Sequence, residues 1–400
     1  MTSEAGMTHA RFAPPPTLRV GQLYLRLTCL LVGVKLLASV LLAENDDAGQ
    51  SAYAVLPKIV DALILALGAA GIAVAPSTRR KWRIIGASLA LLVVVLFSQA
   101  LAARSMVDGL LNLAKFLAPL LLLSGGILTG KMQYVRSAGA RALVWWIGAL
   151  TLIGLFAVEP SFRNGKEWLP AYFGGTHTSA YVAVLAIGLV MITRTKSWHR
   201  EPLVLVSLFM LYMIVLGWGV RTAMSAGLVA SAYLVLAQAS AKQRFMVLLV
   251  SLLAGLCGLI FAVSTGLLSA ESLEWFSSGR TSVWIERIAT ISRREVGELL
   301  LGTGAGTNVT ASSVWWWHDK DSHNDFIAVV YEQGLLGLVL TCGLLVSAYR
   351  LSPFSIQWKA LWLMYLACSV LSNGLMFRPT PACVFAVAAI MASRSRPGVA

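Results

Sequence analysis

Four hundred residues would ordinarily make two or three soluble domains, but 58% of this chain is hydrophobic, only 12% is charged, and the mean hydropathy is +0.75. A soluble chain carries roughly 25% charged and about 45–50% apolar residues, so this one lacks the polar side chains to cover a water-facing surface. The 32 Lys and Arg against 18 Asp and Glu give +14, an excess that a membrane protein acquires by keeping cations on its cytoplasmic side, without any nucleic-acid partner.

Residues 1–20 are Pro-rich and too polar for a signal peptide's apolar core, and read as a cytoplasmic tail. A spanning helix needs about 20 mostly apolar residues. Such runs fall at about 21–43, 53–75, 83–103, 107–129, 141–159, 177–193, 202–220, 222–239 and 245–267, which places nine spans in 21–267. A large outer loop over 268–326 follows, then runs at about 327–349, 357–376 and 380–393, and a second cytoplasmic tail at 394–400. With the N-terminus inside, every inner segment holds at least two Lys or Arg, among them Arg79, Arg80, Lys81 and Arg83. The first outer loop has none and carries Glu44, Asp46 and Asp47 instead. The expectation is an all-α polytopic membrane protein of about twelve spans with both ends cytoplasmic. Cys29, Cys257, Cys342, Cys368 and Cys383 lie in apolar runs without metal-ligand spacing and read as small core residues.

The large loop holds the polar chemistry. Trp284, Ile285, Ile288 and Ile291 recur at three- to four-residue spacing, which predicts an amphipathic helix able to lie on a membrane surface. Arg280, Arg287, Arg293 and Arg294 decorate that stretch. A guanidinium presents a fixed fork of donors and stays charged, so such a cluster suits a diphosphate, with lipid headgroups as the simpler partner. Arg221, in LGWGVRTAMSAG, is either an anion ligand at the mouth of the bundle or an interfacial anchor. Lys115 falls near the middle of the fourth span, where a charge costs roughly 2.5–3.5 kcal/mol and needs a partner or a polar cavity. Lys35, Lys58 and Asp61 lie nearer span ends, where pairing or snorkelling suffices.

His177, His318 and His323 fall on the outer side. His323 opens HNDFIAVVYEQGLLGLVL, where a polar turn runs straight into an apolar helix that carries Glu332. A histidine there can serve as general base or be structural; as a base of ordinary pKa, it predicts activity that falls as pH drops through roughly 6–7. Asn324 can orient an acceptor or close the turn, but not both. GTGAGT (302–307) matches a phosphate loop by letter yet lacks the strand–turn–helix context, and reads as a flexible turn. Asp319-Lys320-Asp321 is a weak D-x-D pattern for a divalent cation. GGTHTSA (174–180) reads as a turn into the sixth span that lines the same cavity.

Three elements together carry a resemblance. They are S-G-R-x-x-x-W (Ser278, Gly279, Arg280, Trp284), an L-x-G-x-G element that includes Leu301, Gly302, Thr303 and Gly304, and an H-N…E-x-G-x-x-G run (His323, Asn324, Ile327, Glu332, Gly334, Gly337). Over roughly residues 160–350 the chain resembles the O-antigen ligase and O-antigen polymerase superfamily. The resemblance implies a GT-C-like architecture in the bacterial inner membrane, with the active site facing the periplasm. It implies metal-independent, cofactor-free, inverting transfer of a glycan from undecaprenyl diphosphate to a lipid A-core sugar. It implies donor-diphosphate contacts from Arg280 and Arg221, with Arg287 as a further candidate, and the essential loop histidine at His323. Asn324, Glu332, Lys115, His177 and Arg163 are candidate supporting residues. The chain departs from the family in having Arg-Thr-Ala-Met-Ser-Ala-Gly for a Ser-Arg-Gly-like element, and Thr-His-Thr-Ser for an Asn-Pro-Asn-like one. A repeat-unit polymerase and a protein O-oligosaccharyltransferase are the neighbouring readings; one large loop without an extra outer domain favours the ligase. A transporter or flippase would show an internal repeat, and none is evident.

Overall fold

The structure is a computed structural model and describes residues 16–41, 55–129, 136–193, 203–265, 277–313 and 319–393, apart from 159, 164–165, 171, 174, 278 and 373. Most of both tails, the residues at 268–276 and His318 therefore lie outside the described residues. Apart from one short antiparallel hairpin, β1 (Ser161–Arg163) with β2 (Lys166–Trp168), the regular structure is helical. In chain order the helices are α1 (Pro16–Leu41), α2 (Val55–Val74), α3 (Arg79–Leu101), α4 (Met106–Thr129), α5 (Arg136–Ala157), α6 (Thr176–Thr193) and α7 (Leu203–Tyr212). Then come α8 (Arg221–Gln238), α9 (Ala241–Ser264), α10 (Arg280–Ser292), α11 (Val296–Leu301), α12 (Asp325–Tyr349), α13 (Ile356–Leu371) and α14 (Pro379–Ala392). Each apolar run read from the sequence falls on a helix. The run at 202–220 is the one that changes character: α7 ends in a π-helical turn, Met213–Gly217, before Arg221 starts α8.

Four helices are long and apolar enough to cross a membrane by length and composition: Val20–Leu41, Arg79–Leu101, Met106–Thr129 and Asp325–Tyr349. Shorter apolar helices fill the space between them, α14 among them. Pro379 occupies the first position of α14, where its missing N–H costs nothing. From Ala382 to Ala392 every residue is buried. A helix apolar on all sides belongs inside a bundle, and its Ala, Cys and Val residues let α4, α6 and α1 approach closely. Around it α2 lies along α4, α12 along α3, and α13 along α8. The exposed apolar residues, such as Leu89, Val93 and Phe97 on α3, form the outer faces of the bundle.

Two features inside the bundle are polar. Lys35 on α1, 2% exposed, pairs with Asp61 on α2 at 2.5 Å, the first of the two explanations, pairing or snorkelling, that the sequence left open. The second is a break in α12. At Gly334 the backbone turns to φ 68, ψ −171, a conformation closed to residues with a Cβ. The carbonyls it frees find new donors: Tyr331 O takes Arg294 and Thr303, and Glu332 O takes Ser98 Oγ at 2.8 Å and the Gly304 amide at 2.9 Å. A Cβ on Gly302 would lie 2.3 Å from the Glu332 backbone, so glycine is what allows the loop to dock there.

Candidate active site

The start of α12 is tied down on both sides. Asn324 Oδ1 accepts the amides of Phe326 and Ile327 at 3.0 and 3.1 Å, an N-cap, while its Nδ2 donates to Val370 O at 2.8 Å. Both ends of the amide are committed, so Asn324 closes the turn rather than orienting an acceptor. Asp325 is buried and accepts the amides of Gly374 and Met376, each at 3.1 Å. These two residues fasten the segment between α13 and α14 to the start of α12.

His323 stands just before this cap with φ 49, a left-handed conformation that costs a non-glycine residue roughly 1–2 kcal/mol. Its amide donates to Asp321 Oδ1 at 3.0 Å, and the same oxygen lies 3.4 Å from Nδ1. A carboxylate on that side favours the Nδ1–H tautomer and leaves Nε2 as the basic nitrogen. Burial pushes the imidazole down to about 4; Asp321 opposes the shift, and Arg280, Arg378 and Lys320 add to it. This sets the imidazole below the ordinary range near 6–7 expected from the sequence and favours its neutral form at physiological pH.

Arg280 opens α10 directly after Gly279, whose φ of 84 turns the chain into the helix. One guanidinium nitrogen donates to Leu371 O at 3.1 Å and the other lies 3.3 Å from His177 Nε2, on the first turn of α6. Arg378, immediately before α14, donates to Thr178 Oγ1 at 2.7 Å. Arg221 and Arg378 are both within Coulombic reach of Arg280, and burial more than either draws its guanidinium below the usual arginine range. Trp284 Nε1 donates to Ser322 O at 2.7 Å, which binds α10 to the turn that carries His323. The starts of α6, α10 and α12 and the approach to α14 thus bring Arg280, Arg378, two histidines and Asp321 into one part-buried cluster, with the exposed Arg221 at the start of α8 within Coulombic reach of Arg280. Such a site can hold a dianion, stabilise charge on it, and accept a proton beside it.

Other predicted residues stand elsewhere. Arg287 is buried, donates to Thr310 O at 3.0 Å, and lies over the Tyr331 ring; it pins the loop, which corrects its expected place on a diphosphate. The flexible turn expected at 302–307 is also corrected. Its amides are used, Gly304 on Glu332 O, Ala305 on Gln99 Oε1 at 3.0 Å, and Gly306 on Glu332 Oε1 at 2.9 Å, so it neither flexes freely nor cradles phosphate. Glu332 therefore holds this loop. Lys115 is on an exposed part of α4, 3.5 Å from Asn112 Oδ1 and within Coulombic reach of Glu332. Arg163 ends β1 opposite Lys166, in the α5–α6 connection. Lys320 bridges to Thr310 through both backbone bonds, beside Asp321. Among the described residues no three His, Cys, Asp or Glu gather as metal ligands.

One residue went unremarked as a site candidate. Arg378 counts in the sequence as one cation of a short outer loop, yet F-R-P-T-P puts it directly before a helix-starting proline, at the chain end of a buried span. Asp325, which the sequence sets close to the Asp319-Lys320-Asp321 pattern and to His323, anchors the loop that carries Arg378. Compared with known proteins, the chain matches no family model, and no curated protein is similar enough to count as a relative.

Proposed function

We propose that this protein is a membrane-embedded glycosyltransferase of the O-antigen ligase type. The observation that supports the reading best is the gathering of Arg280 and Arg378 around a half-buried, neutral His323, with Arg221 within Coulombic reach of Arg280. In this reading about twelve helices span the bacterial inner membrane, both chain ends are cytoplasmic, and the cluster faces the periplasm. The donor is a glycan on undecaprenyl diphosphate and the acceptor a lipid A-core sugar.

The chemistry follows from the charges. The acceptor hydroxyl gives its proton to His323 Nε2 while its oxygen attacks the anomeric carbon. The bond from that carbon to the diphosphate oxygen breaks, and the leaving diphosphate gains a negative charge. Arg280, Arg221 and Arg378 stabilise that charge in a part-buried setting, where fixed donors are worth more than in water. Attack opposite the leaving group inverts the anomeric centre. His177 holds the Arg280 guanidinium, and Asp321 holds the backbone amide of His323, with its carboxylate 3.4 Å from Nδ1.

Purified protein, undecaprenyl-diphosphate glycan and rough lipopolysaccharide test the proposal directly. A shifted lipopolysaccharide ladder that persists with a chelator supports ligation. Chains that lengthen on undecaprenyl diphosphate without lipopolysaccharide would identify a polymerase, and no transfer at all would reject both.

A further inference from the structure

The end of the molecule opposite the arginine cluster contains a cavity that glycosyl transfer leaves unexplained. It is an open groove with a volume of about 340 Å³, lined by Tyr233 of α8, Leu345 and Tyr349 of α12, and Lys359, Trp362 and Leu366 of α13. That falls within the roughly 300–1,000 Å³ typical of small-molecule pockets. Its walls are apolar except for Lys359 and the two tyrosine hydroxyls. Leu345 lies twenty residues beyond Asp325 along α12, about 30 Å at 1.5 Å per residue, which is the thickness of a bilayer's hydrocarbon core.

The rim is cationic. Arg350 caps α12 directly after Tyr349, and Arg80 donates to Leu351 O at 3.4 Å, which brings the α2–α3 turn beside the α12–α13 turn. No Asp or Glu occurs between Asp61 and Asp108, or anywhere after Glu332. Cations at this end therefore have no acidic side chain within their own segments to neutralise them. An apolar groove facing a bilayer takes up an acyl chain, and a lysine in its wall, with arginines on the adjoining turns, selects the charge of the headgroup.

We infer that the groove between α8, α12 and α13 binds one anionic phospholipid, its acyl chain along Leu345 and Leu366 and its phosphate on Lys359 and Arg350. The inference rests on the membrane reading and not on the proposed reaction.

Native mass spectrometry of the full chain tests it, with phosphatidylglycerol and phosphatidylcholine of identical acyl chains added in equal amounts. Wild type should retain phosphatidylglycerol preferentially, by about fivefold for each cation engaged. Lys359→Gln should cut the preference about fivefold, and Lys359→Gln with Arg350→Gln should erase it. Leu366→Trp, an overfilling change at an exposed position, should reduce retention of both lipids. Equal retention by wild type, a preference that survives the double variant, or unchanged retention in a folded Leu366→Trp protein would each overturn the inference. Stoichiometric displacement of phosphatidylglycerol by undecaprenyl diphosphate would also overturn it, by assigning the groove to the donor.

Discussion

His323 carries the sharpest consequence of burial. A base that is neutral above about 4 stays competent well below neutrality, so kcat/KM, which reports the free enzyme, should hold until the pH falls to about 4–5. Bound diphosphate adds negative charge beside the imidazole and offsets the arginines, which raises the pKa in the complex. The acid limb of kcat should therefore lie at higher pH than that of kcat/KM; coincident limbs would argue against His323 as the base. The same shift affects folding. Between about 6.5 and about 4 the unfolded chain takes up a proton that the folded site refuses, so stability is full above 6.5 and declines as pH falls to 4. His323→Ala should lower transfer by about 10²–10⁴ while donor binding persists, as expected for loss of general-base catalysis. Arg378→Ala should cost about a hundredfold in kcat, the scale of losing one donor to a developing anion, and Arg378→Lys should recover only part of it. Activity equal to wild type in Arg378→Ala would remove this residue from the site.

At the scale of elements, hydrophobic runs were enough to locate the helices, because a stretch of apolar residues long enough to span or fill a bundle has few other conformations. Loop chemistry was less legible. His323 and Arg280 stood out through motif and residue type, but nothing local announces that Arg378, some fifty positions later, joins them, since that depends on how α14 enters the bundle. Arg287 and Arg280 look equivalent on one helix; only the fold shows that Arg287 is spent on the carbonyls of a neighbouring loop. Gly302 and Gly334 likewise read as punctuation until the fold packs Gly302 on the Glu332 backbone and Gly334 on that of Leu300. That junction has a testable consequence. Gly334→Ala would set a Cβ 2.2 Å from Leu300 O at a φ of 68, and should destabilise the protein by about 1–3 kcal/mol, read as a lowered Tm. Glu332→Gln keeps an oxygen for the Gly306 amide and should retain most activity. Glu332→Ala leaves that amide without its acceptor and should lose roughly 1–3 kcal/mol of stability. Complete inactivity of a stable Glu332→Gln protein would instead make Glu332 a participant in proton transfer.

Over the whole molecule, the two ends differ in the way that a membrane orientation requires. One end gathers the starts of α6, α8, α10, α12 and α14 with Asp321 and the acid-bearing loop around Glu286, Glu295 and Glu298. The other gathers Arg79, Arg80, Lys81, Arg83, Arg350 and Lys359 without an acid in those segments. On the proposed orientation, positive charge held back on the cytoplasmic side accounts for the second end, and the escape of long translocated loops from that bias accounts for the arginines at the first. Charge alone therefore predicts which end faces which compartment, independently of any catalytic reading. In a cysteine-free background, Ala311→Cys in the exposed loop and Ser77→Cys in the α2–α3 turn mark the two ends. A membrane-impermeant maleimide added to intact spheroplasts should label Ala311→Cys and spare Ser77→Cys until the membrane is opened. The reverse pattern would put the arginine cluster in the cytoplasm, out of reach of a lipid A-core acceptor, and would end the ligase proposal however active the site proved to be. Labelling of both from outside would mean that an even number of membrane crossings separates the two residues, and the twelve-span count would have to be redrawn around α7, the shortest of the helices α3–α9 between them.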